Sequence, residues 1–214
     1  MPTSFADIAF TPSVQALQSR HGSRKQYARM QARAEESTLS ARERDFLQQA
    51  DTFYLATVGE TGWPYVQHRG GPPGFVHVRS PSQVAFADFR GNLQYVSAGN
   101  VARDDRASII VVDVANRRRM KLLGHLHFVD LADADEALAA SVALPGYRAT
   151  VERIALFDVV AFDWNCPQHI TQRFTLDEVE AAARPLRERI AELEAKLGVT
   201  GDSRAVNRAR TDGI

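Results

Sequence analysis

The sequence is short of cysteine, of net charge and of long apolar runs. It has a single cysteine, Cys166, so no disulfide can form within the chain, which fits a reducing compartment. Lysine and arginine together number 26, as do aspartate and glutamate, so no net field attracts nucleic acid or an anionic membrane. No apolar run reaches the roughly 18 residues of a membrane helix, and the first residues lack the pattern of a secretion signal. We therefore expect a cytoplasmic protein that binds neither membranes nor nucleic acid.

Several familiar motifs are also missing. No G-x-G-x-x-G follows a strand and no G-x-x-x-x-G-K-[ST] is present, so a dinucleotide fold and a P-loop lack support. Ser97 lacks the preceding glycine of a nucleophile elbow, which argues against a hydrolase. His125 and His127 would share a strand face that His77 could join, but no acidic or cysteine ligand is tied to them by spacing. We expect no metal site, while a catalytic thiolate at Cys166 stays an open alternative.

The middle of the chain has the alternation and the β-branched and aromatic content of strands. Too few helical segments separate these strands to supply parallel crossovers, so the sheet should be mainly antiparallel. The pattern predicts a mainly β (α+β) protein with an antiparallel six-stranded split β-barrel and with N-terminal and C-terminal helices. The strand candidates are 52–58, 63–69, 75–78, 83–88, 107–114, 119–129 and 151–163.

Helical patterns occur at both ends and in two short inserts, 92–104 and 133–141. Residues 12–34 read as helical with an interruption at Gly22, and Ser40 with Glu43 has capping-box spacing that begins the next helix. The predicted organisation is an N-terminal helical arm (1–45), the barrel (46–164) and a C-terminal helical extension (165–214).

The C-terminal extension carries apolar residues at the a and d positions of a helix seam. A capping box at Thr175 and Glu178 begins this helix, and Pro185 predicts that it forms two pieces. The seam can pack on the barrel of its own chain or on the partner of a dimer, and both interpretations are open. Its members are Leu176, Val179, Ala183, Leu186, Ile190, Leu193 and Leu197.

Four ordered motifs between about residues 46 and 130 carry a resemblance. They are Phe53-Tyr54-Leu55-Ala56-Thr57-Val58, the segment from Pro64 to Val76 that contains Gln67-His68-Arg69-Gly70-Gly71, the segment from Phe86 to Asn100, and Arg119-Met120-Lys121-Leu122-Leu123-Gly124. Their order and spacing resemble the FMN-binding split-barrel family related to pyridoxamine 5′-phosphate oxidase. Gly22-Ser23-Arg24, 165–170 and 173–175 are similar to an uncharacterised subgroup of that family.

The resemblance implies a homodimer that holds FMN at its interface, with the isoalloxazine ring contacting both subunits. Arg69 suits the phosphate because its guanidinium presents two donors, and the following glycines let the backbone approach closely. A turn joining two strands explains the glycines equally well, but it does not explain the arginine. The implied cofactor-binding residues are Gln67, His68, Arg69, Gly70, Ala87, Asp88, Asn92, Gln94, Tyr95, Arg119, Lys121 and Trp164.

Asn92-Leu93-Gln94 departs from the family pattern, which has a serine-arginine-lysine run at this place. An ordinary helix cap at Asn92 is an equal alternative there, and the missing cations make Arg69, Arg119 and Lys121 the candidates for the phosphate. Trp164 can likewise be a structural residue at a strand-to-helix corner. The arginine-x-histidine that recognises pyridoxal phosphate is also absent, so vitamin B6 oxidation is not the first choice of reaction.

The resulting expectation is an FMN-dependent oxidoreductase that acts on an unknown small molecule, with NAD(P)H as a candidate electron donor. The flavin would carry the chemistry, and His68 and His169 are the candidates for a proton donor. Two alternatives stay open. One is a flavin or haem binding module without turnover, and the other is a structural or interaction protein that has lost the cofactor.

Overall fold

The computed structural model describes residues 4–32, 37–164 and 168–198. The chain divides into two compact units, Met1–Thr171 and Gln172–Ile214, and each is described by itself.

The first unit is built on one antiparallel sheet. Its strands are β1 (Thr52–Val58), β2 (Pro64–Gly70), β3 (Val76–Ser80), β4 (Gln83–Phe89), β5 (Arg106–Asp113), β6 (Arg118–Asp130) and β7 (Val151–Trp164). They lie in the order β2-β1-β5-β6-β7-β4-β3. The predicted antiparallel split-barrel class is confirmed. The six-stranded barrel was one strand short: all seven strand candidates form strands of the sheet, including the five-residue edge strand β3, which pairs with β4.

The sheet curls around an aromatic and aliphatic core. Phe53 on β1 stacks on Phe75 with ring centroids 5.6 Å apart and meets Phe86 on β4 edge to face at 5.0 Å. Met120, Leu122 and other alternate residues of β6 and β7 complete this core at or near zero exposure. Burying each such side chain contributes about 1.5–3 kcal/mol to stability. Because alternate residues of a strand point to opposite faces, the alternation of apolar residues determines which face of the strand is internal.

The opposite face of β4 and β7 supports a smaller cluster. Ala85 and Ala87 on β4 and Ile154 on β7 pack there against Leu138 of α6 (Glu136–Ser141). A single 3-10 turn, Leu131–Asp133, precedes α6. Consecutive residues of β4 therefore serve two different cores, which sends Phe86 and Asp88 into the barrel and Ala87 away from it.

Short helices precede the sheet: α1 (Phe5–Ala9), α2 (Pro12–Arg20), α3 (Arg24–Gln31) and α4 (Ala41–Gln48). Gly22, with a φ of 78°, separates α2 from α3 where the sequence predicts an interruption. Ser40 and Glu43 form the predicted capping box of α4. The α1 helix was not anticipated, although Ser4 and Asp7 cap it in the same way.

One further helix positions the candidate site. The α5 helix (Val96–Arg103) follows β4 and is shorter than the predicted insert 92–104. Asn100 donates from its side-chain amide to the buried Thr57 hydroxyl at 3.0 Å, which fixes α5 against β1. The N-terminus of α5 is thereby held near β2 and β4.

The second unit contains α7 (Leu176–Lys196), which begins at the predicted capping box of Thr175 and Glu178. The prediction of two helical pieces is wrong, because α7 continues through Pro185. A proline removes one N–H donor, so an exposed proline can cost a helix one hydrogen bond without ending it. In the part of the chain that the structure describes, no helix is long and apolar enough to cross a membrane.

Candidate functional site

A cavity of about 200 Å³ opens at the end of the barrel core. Residues of β2, β4 and β7 form its walls, and the segment leading into α5 forms its rim. The lining residues are Tyr65, Gln67, Arg69, Asp88, Phe89, Gly91, Asn92, Leu93, Gln94, Tyr95, Val96, Ser97, Ala98, Glu152 and Arg153.

Asp88 on β4 holds two arginines at the base of this cavity. Arg69 on β2 donates from Nη1 to Oδ1, and Arg153 on β7 donates to Oδ2 from Nη2 and from Nε, the latter at 2.9 Å. The Asp88 side chain is 3% exposed and those of Arg69 and Arg153 are 15% and 18% exposed. Two cations thus share one buried anion, so the cluster carries a net positive charge.

The arginines keep donors that Asp88 does not use. Nε of Arg69 is buried and has no hydrogen-bond partner among the described residues. A buried donor without a partner costs about 1–3 kcal/mol of stability, so a ligand acceptor that formed this hydrogen bond would recover that cost. Arg69 and Asp88 also connect β2 to β4, which are not neighbours in the sheet.

Arg153 is held in place by aromatic rings. Its guanidinium carbon lies 4.9 Å from the ring centroid of Tyr95 and 4.9 Å from that of Phe128. Such cation–π contacts fix a guanidinium without using its hydrogen bonds. Sequence reasoning missed Arg153 as a site residue, because only the pairing of β4 with β7 brings it opposite Asp88.

The first turn of α5 lines the cavity with Val96, Ser97 and Ala98. Tyr95, the N-cap residue, has a φ of 53° and makes no side-chain cap hydrogen bond. Leu93 also has a positive φ, 61°, and the amide of Gln94 donates to Asn92 Oδ1 at 3.2 Å. The first N–H groups of a helix lack partners within the helix and carry partial positive charge. Together with the two guanidinium groups, they make the cavity suited to an anion.

Six of the residues that the resemblance implies line this cavity: Gln67, Arg69, Asp88, Asn92, Gln94 and Tyr95. Gln67 also accepts a hydrogen bond from the buried Ser97 hydroxyl at 2.8 Å. His68, the residue between Gln67 and Arg69 on β2, points to the other side of the strand, where its Nε2 is 2.6 Å from Thr52 Oγ1.

The other implied residues lie apart from the cavity lining. Gly70 ends β2, and a Cβ there would come within 3.1 Å of the His68 ring. Ala87 belongs to the smaller core. Lys121 lies 3.4 Å from Asp163 and 4.4 Å from the Phe5 ring centroid, and the neighbouring Arg119 keeps a buried Nε without a hydrogen-bond partner in the described residues.

Trp164 takes part in a second, closed cluster. Its indole Nε1 donates to Glu43 at 2.8 Å, and its ring meets Phe46 edge to face at 4.6 Å. Burial by itself would raise the pKa of Glu43, but the hydrogen bonds from Ser40 and Trp164 outweigh burial and lower that pKa below 4.5. The cluster joins α4 to the end of β7.

The histidines outside the cavity form no metal site that the structure shows. His125 Nδ1 lies 2.8 Å from Asp105 and His127 Nδ1 lies 3.9 Å from Asp158. No group of three or more potential ligands occurs among the described residues. His169 adopts a positive φ of 64° in an exposed turn, and Cys166 lies outside the described residues.

A family model described as pyridoxamine 5′-phosphate oxidase matches residues 39–163, which is more than half of the chain and includes the whole cavity. The chain belongs to this family. No curated protein matches. Similar solved structures are found at low identity.

HupZ from Group A Streptococcus is 12% identical, with 64% of this chain and 99% of that chain covered and a TM-score of 0.48. A Clostridium acetobutylicum protein related to general stress protein 26 of B. subtilis (pyridoxinephosphate oxidase family) is 13% identical, with 64% and 94% covered and a TM-score of 0.42. An FMN-binding protein from Syntrophomonas wolfei is 12% identical, with 69% and 97% covered and a TM-score of 0.42.

Proposed function

We propose that this protein binds FMN, with the flavin phosphate in the cavity between β2, β4 and α5, and that it works as a homodimeric oxidoreductase on a small organic molecule. The observation that carries the proposal is the convergence of Arg69, Arg153 and the uncapped N-terminus of α5 on one cavity. This cavity lies in the segment that matches the pyridoxamine 5′-phosphate oxidase family.

The residues present fit the phosphate end of FMN. A phosphate monoester carries about 1.5–2 negative charges at neutral pH and accepts several hydrogen bonds. The cluster of Arg69, Arg153 and Asp88 offers one net positive charge, a buried Nε without a partner in the described residues, and neighbouring helix amides. Glu152 also lines the cavity, and its negative charge is paired with Arg90, which lies outside the lining, at 3.5 Å. Arg153 thus supplies from β7 a cation that Asn92-Leu93-Gln94 lacks.

The size of the cavity limits which part of FMN it can hold. Its volume of about 200 Å³ is below the roughly 300–1,000 Å³ of pockets that enclose a whole drug-sized ligand. The cavity therefore suits the phosphate and the adjoining ribityl chain, and the ring system would lie outside it. A ring held outside would need cover from elsewhere, which supports the homodimer that the family resemblance implies.

Flavin chemistry, when FMN is bound, is hydride or electron transfer at N5. The side chains of this chain would hold and orient the phosphate, and none that lines the cavity is assigned as an acid or a base. His68 and His169 stay predictions for that role.

The test is an absorption spectrum of the purified protein with the released cofactor identified by mass. We expect a yellow protein that releases FMN and is reduced by NADH or NADPH. A yellow protein inert to both would favour a binding module without turnover. A colourless protein that fails to bind added FMN would overturn the proposal.

Two variants locate the cofactor. Arg69→Ala and Arg153→Ala should each weaken FMN affinity at least about tenfold and so lower FMN occupancy at subsaturating concentration, because a hydrogen bond to a charged group is worth about 1.5–3 kcal/mol. The matched control is Arg79→Ala, an exposed arginine on β3 that contacts Gln83. Unchanged occupancy in both cavity variants, with the fold verified by circular dichroism, would place the flavin elsewhere.

A further inference from the structure

The apolar seam of α7 belongs to the second unit, and the proposed function does not use it. Six large apolar residues of the seam are between 41% and 88% exposed: Leu176, Val179, Leu186, Ile190, Leu193 and Leu197. We propose that this seam pairs with the α7 of a second copy of the chain in a parallel, two-stranded coiled coil.

The width of the seam favours a partner helix over a sheet. A helix that packs on a globular core usually has an apolar stripe that includes the positions beside a and d, whereas a coiled coil uses a and d alone. The flanking e positions of α7 are Glu180, Arg187 and Glu194, and the g positions are Ala182, Arg189 and Lys196. Five of these six flanking residues are charged, so the stripe is the narrow coiled-coil kind.

The seam residues also indicate two strands. Ile190 occupies an a position between Leu186 and Leu193 at d positions, and isoleucine at a with leucine at d favours parallel dimers. Pro185 falls at a c position on the outer side of the helix and is exposed, so it does not enter the seam. The three turns from Leu186 to Leu197 should therefore form the strongest part of the coil.

Charges at the flanks decide between parallel and antiparallel pairing. In a parallel pair, each g residue faces the e residue five positions later on the other helix. Arg189 would then face Glu194 of the second copy, twice by symmetry. In an antiparallel pair that overlaps the whole seam, like positions meet, so Arg187 and Arg189 would face their own copies and Glu180 would face Glu194. Parallel pairing gives attraction and antiparallel pairing gives repulsion.

A parallel coil is compatible with the symmetry of a homodimer, because its twofold axis runs along the coil and both subunits use the same surface. Within their own helix, Arg187 contacts Glu180 and Arg189 contacts Glu192 at 2.5 Å. These exposed pairs are weak, so Arg187 and Arg189 can exchange them for partners on a second helix.

Disulfide trapping in the full-length chain tests the coil directly. In a Cys166→Ser background, Leu186→Cys and Leu193→Cys should each cross-link to their own counterparts under mild oxidation, because parallel d positions face each other. The control Glu188→Cys, at an outer f position, should stay monomeric on a non-reducing gel. Adding Arg189→Glu should reduce cross-linking through Leu193→Cys, and the swapped pair Arg189→Glu with Glu194→Arg should restore it.

Cross-links at both seam positions but not at the outer position, with restoration by the charge swap, would support the parallel coil. Absence of cross-links at both seam positions, in variants that keep wild-type circular dichroism, would overturn it. Cross-linking at only one of the two would indicate an antiparallel crossing and would also overturn it. The readout does not depend on flavin, so its failure is distinguishable from failure of the proposed function.

Discussion

Asp88 and Glu43 are both buried carboxylates of the first unit, with 2% and 5% of their surface exposed. Glu43 accepts hydrogen bonds from Ser40 and Trp164, which are neutral donors inside a closed helix-to-strand joint. Asp88 instead holds two cations that line an open cavity. The comparison shows that burial of a carboxylate does not mark a site. A site is marked instead by hydrogen-bond donors that the carboxylate leaves unused and that line an open cavity, because such donors can bind a ligand.

Asp88→Asn should have the largest effect on stability. It leaves two mostly buried guanidinium groups without their counter-ion, and breaking a buried ion pair in this way costs about 3–5 kcal/mol. Inorganic phosphate should then raise the unfolding midpoint more in the variant than in the wild type, since the anion replaces the lost charge. Chemical denaturation with and without phosphate measures both.

The control for that variant is Asp45→Asn, an exposed aspartate on α4. It should change neither the stability by more than about 0.5 kcal/mol nor the response to phosphate. An equal phosphate response in Asp88→Asn and the wild type would mean that the cavity does not bind phosphate.

Glu43→Gln should have the second-largest effect on stability and should leave cofactor binding unchanged. Glutamine keeps the volume but loses the charge that accepts from Ser40 and Trp164, at a cost of about 1–2 kcal/mol. Flavin content per folded chain should stay at the wild-type level. A loss of flavin on this substitution would show that the closed cluster contributes to the cofactor site.

The same variant reveals a pH dependence. Since the pKa of Glu43 is lowered below 4.5 in the folded chain, its ionised form stabilises the fold fully above that ordinary value. This contribution should disappear as the pH falls through the lowered folded pKa. The difference in unfolding free energy between the wild type and Glu43→Gln should therefore be constant at neutral pH and shrink in acid. A difference that grew in acid would contradict the assignment.

Substitutions of Tyr95 should have the smallest effects, and two of them distinguish the contribution of its ring from that of its hydroxyl. Tyr95→Phe removes a hydroxyl that lies 3.4 Å from Glu152 but keeps the ring beside Arg153, so FMN affinity should change by less than about 0.5 kcal/mol. Tyr95→Ala also removes the cation–π contact and should weaken FMN by about 0.5–1 kcal/mol. Titrations of the two variants measure the difference, and equal affinities would show that the ring does not position Arg153.

The sequence predicted the elements whose signals are local. Alternation located the strands from Phe53 to Phe162, and the capping boxes at Ser40 and Thr175 located two helix starts. Continuation of α7 through Pro185 was missed, because the cost of one hydrogen bond depends on how the rest of the helix is supported.

Only part of the candidate site could be predicted from the sequence. Arg69 and Asp88 lie in motifs that can be quoted from the chain, whereas Arg153 becomes a neighbour only through the register of β4 with β7. Trp164 was nominated because the family resemblance implies a late residue beside the flavin, but the partner that it contacts, Glu43, is 121 residues away. Long-range pairing decides both cases, and a single sequence does not encode it in any local pattern.

The central claim is that the cavity of Arg69, Arg153 and the first turn of α5 recognises a phosphate. The most direct measurement is a parallel titration of apoprotein with FMN and with riboflavin, which differ by that phosphate, in the wild type and in Arg69→Ala. We expect the wild type to prefer FMN by at least about tenfold, equivalent to about 1.4 kcal/mol, and the variant to lose most of this preference. Equal affinity of the wild type for FMN and riboflavin would contradict the account.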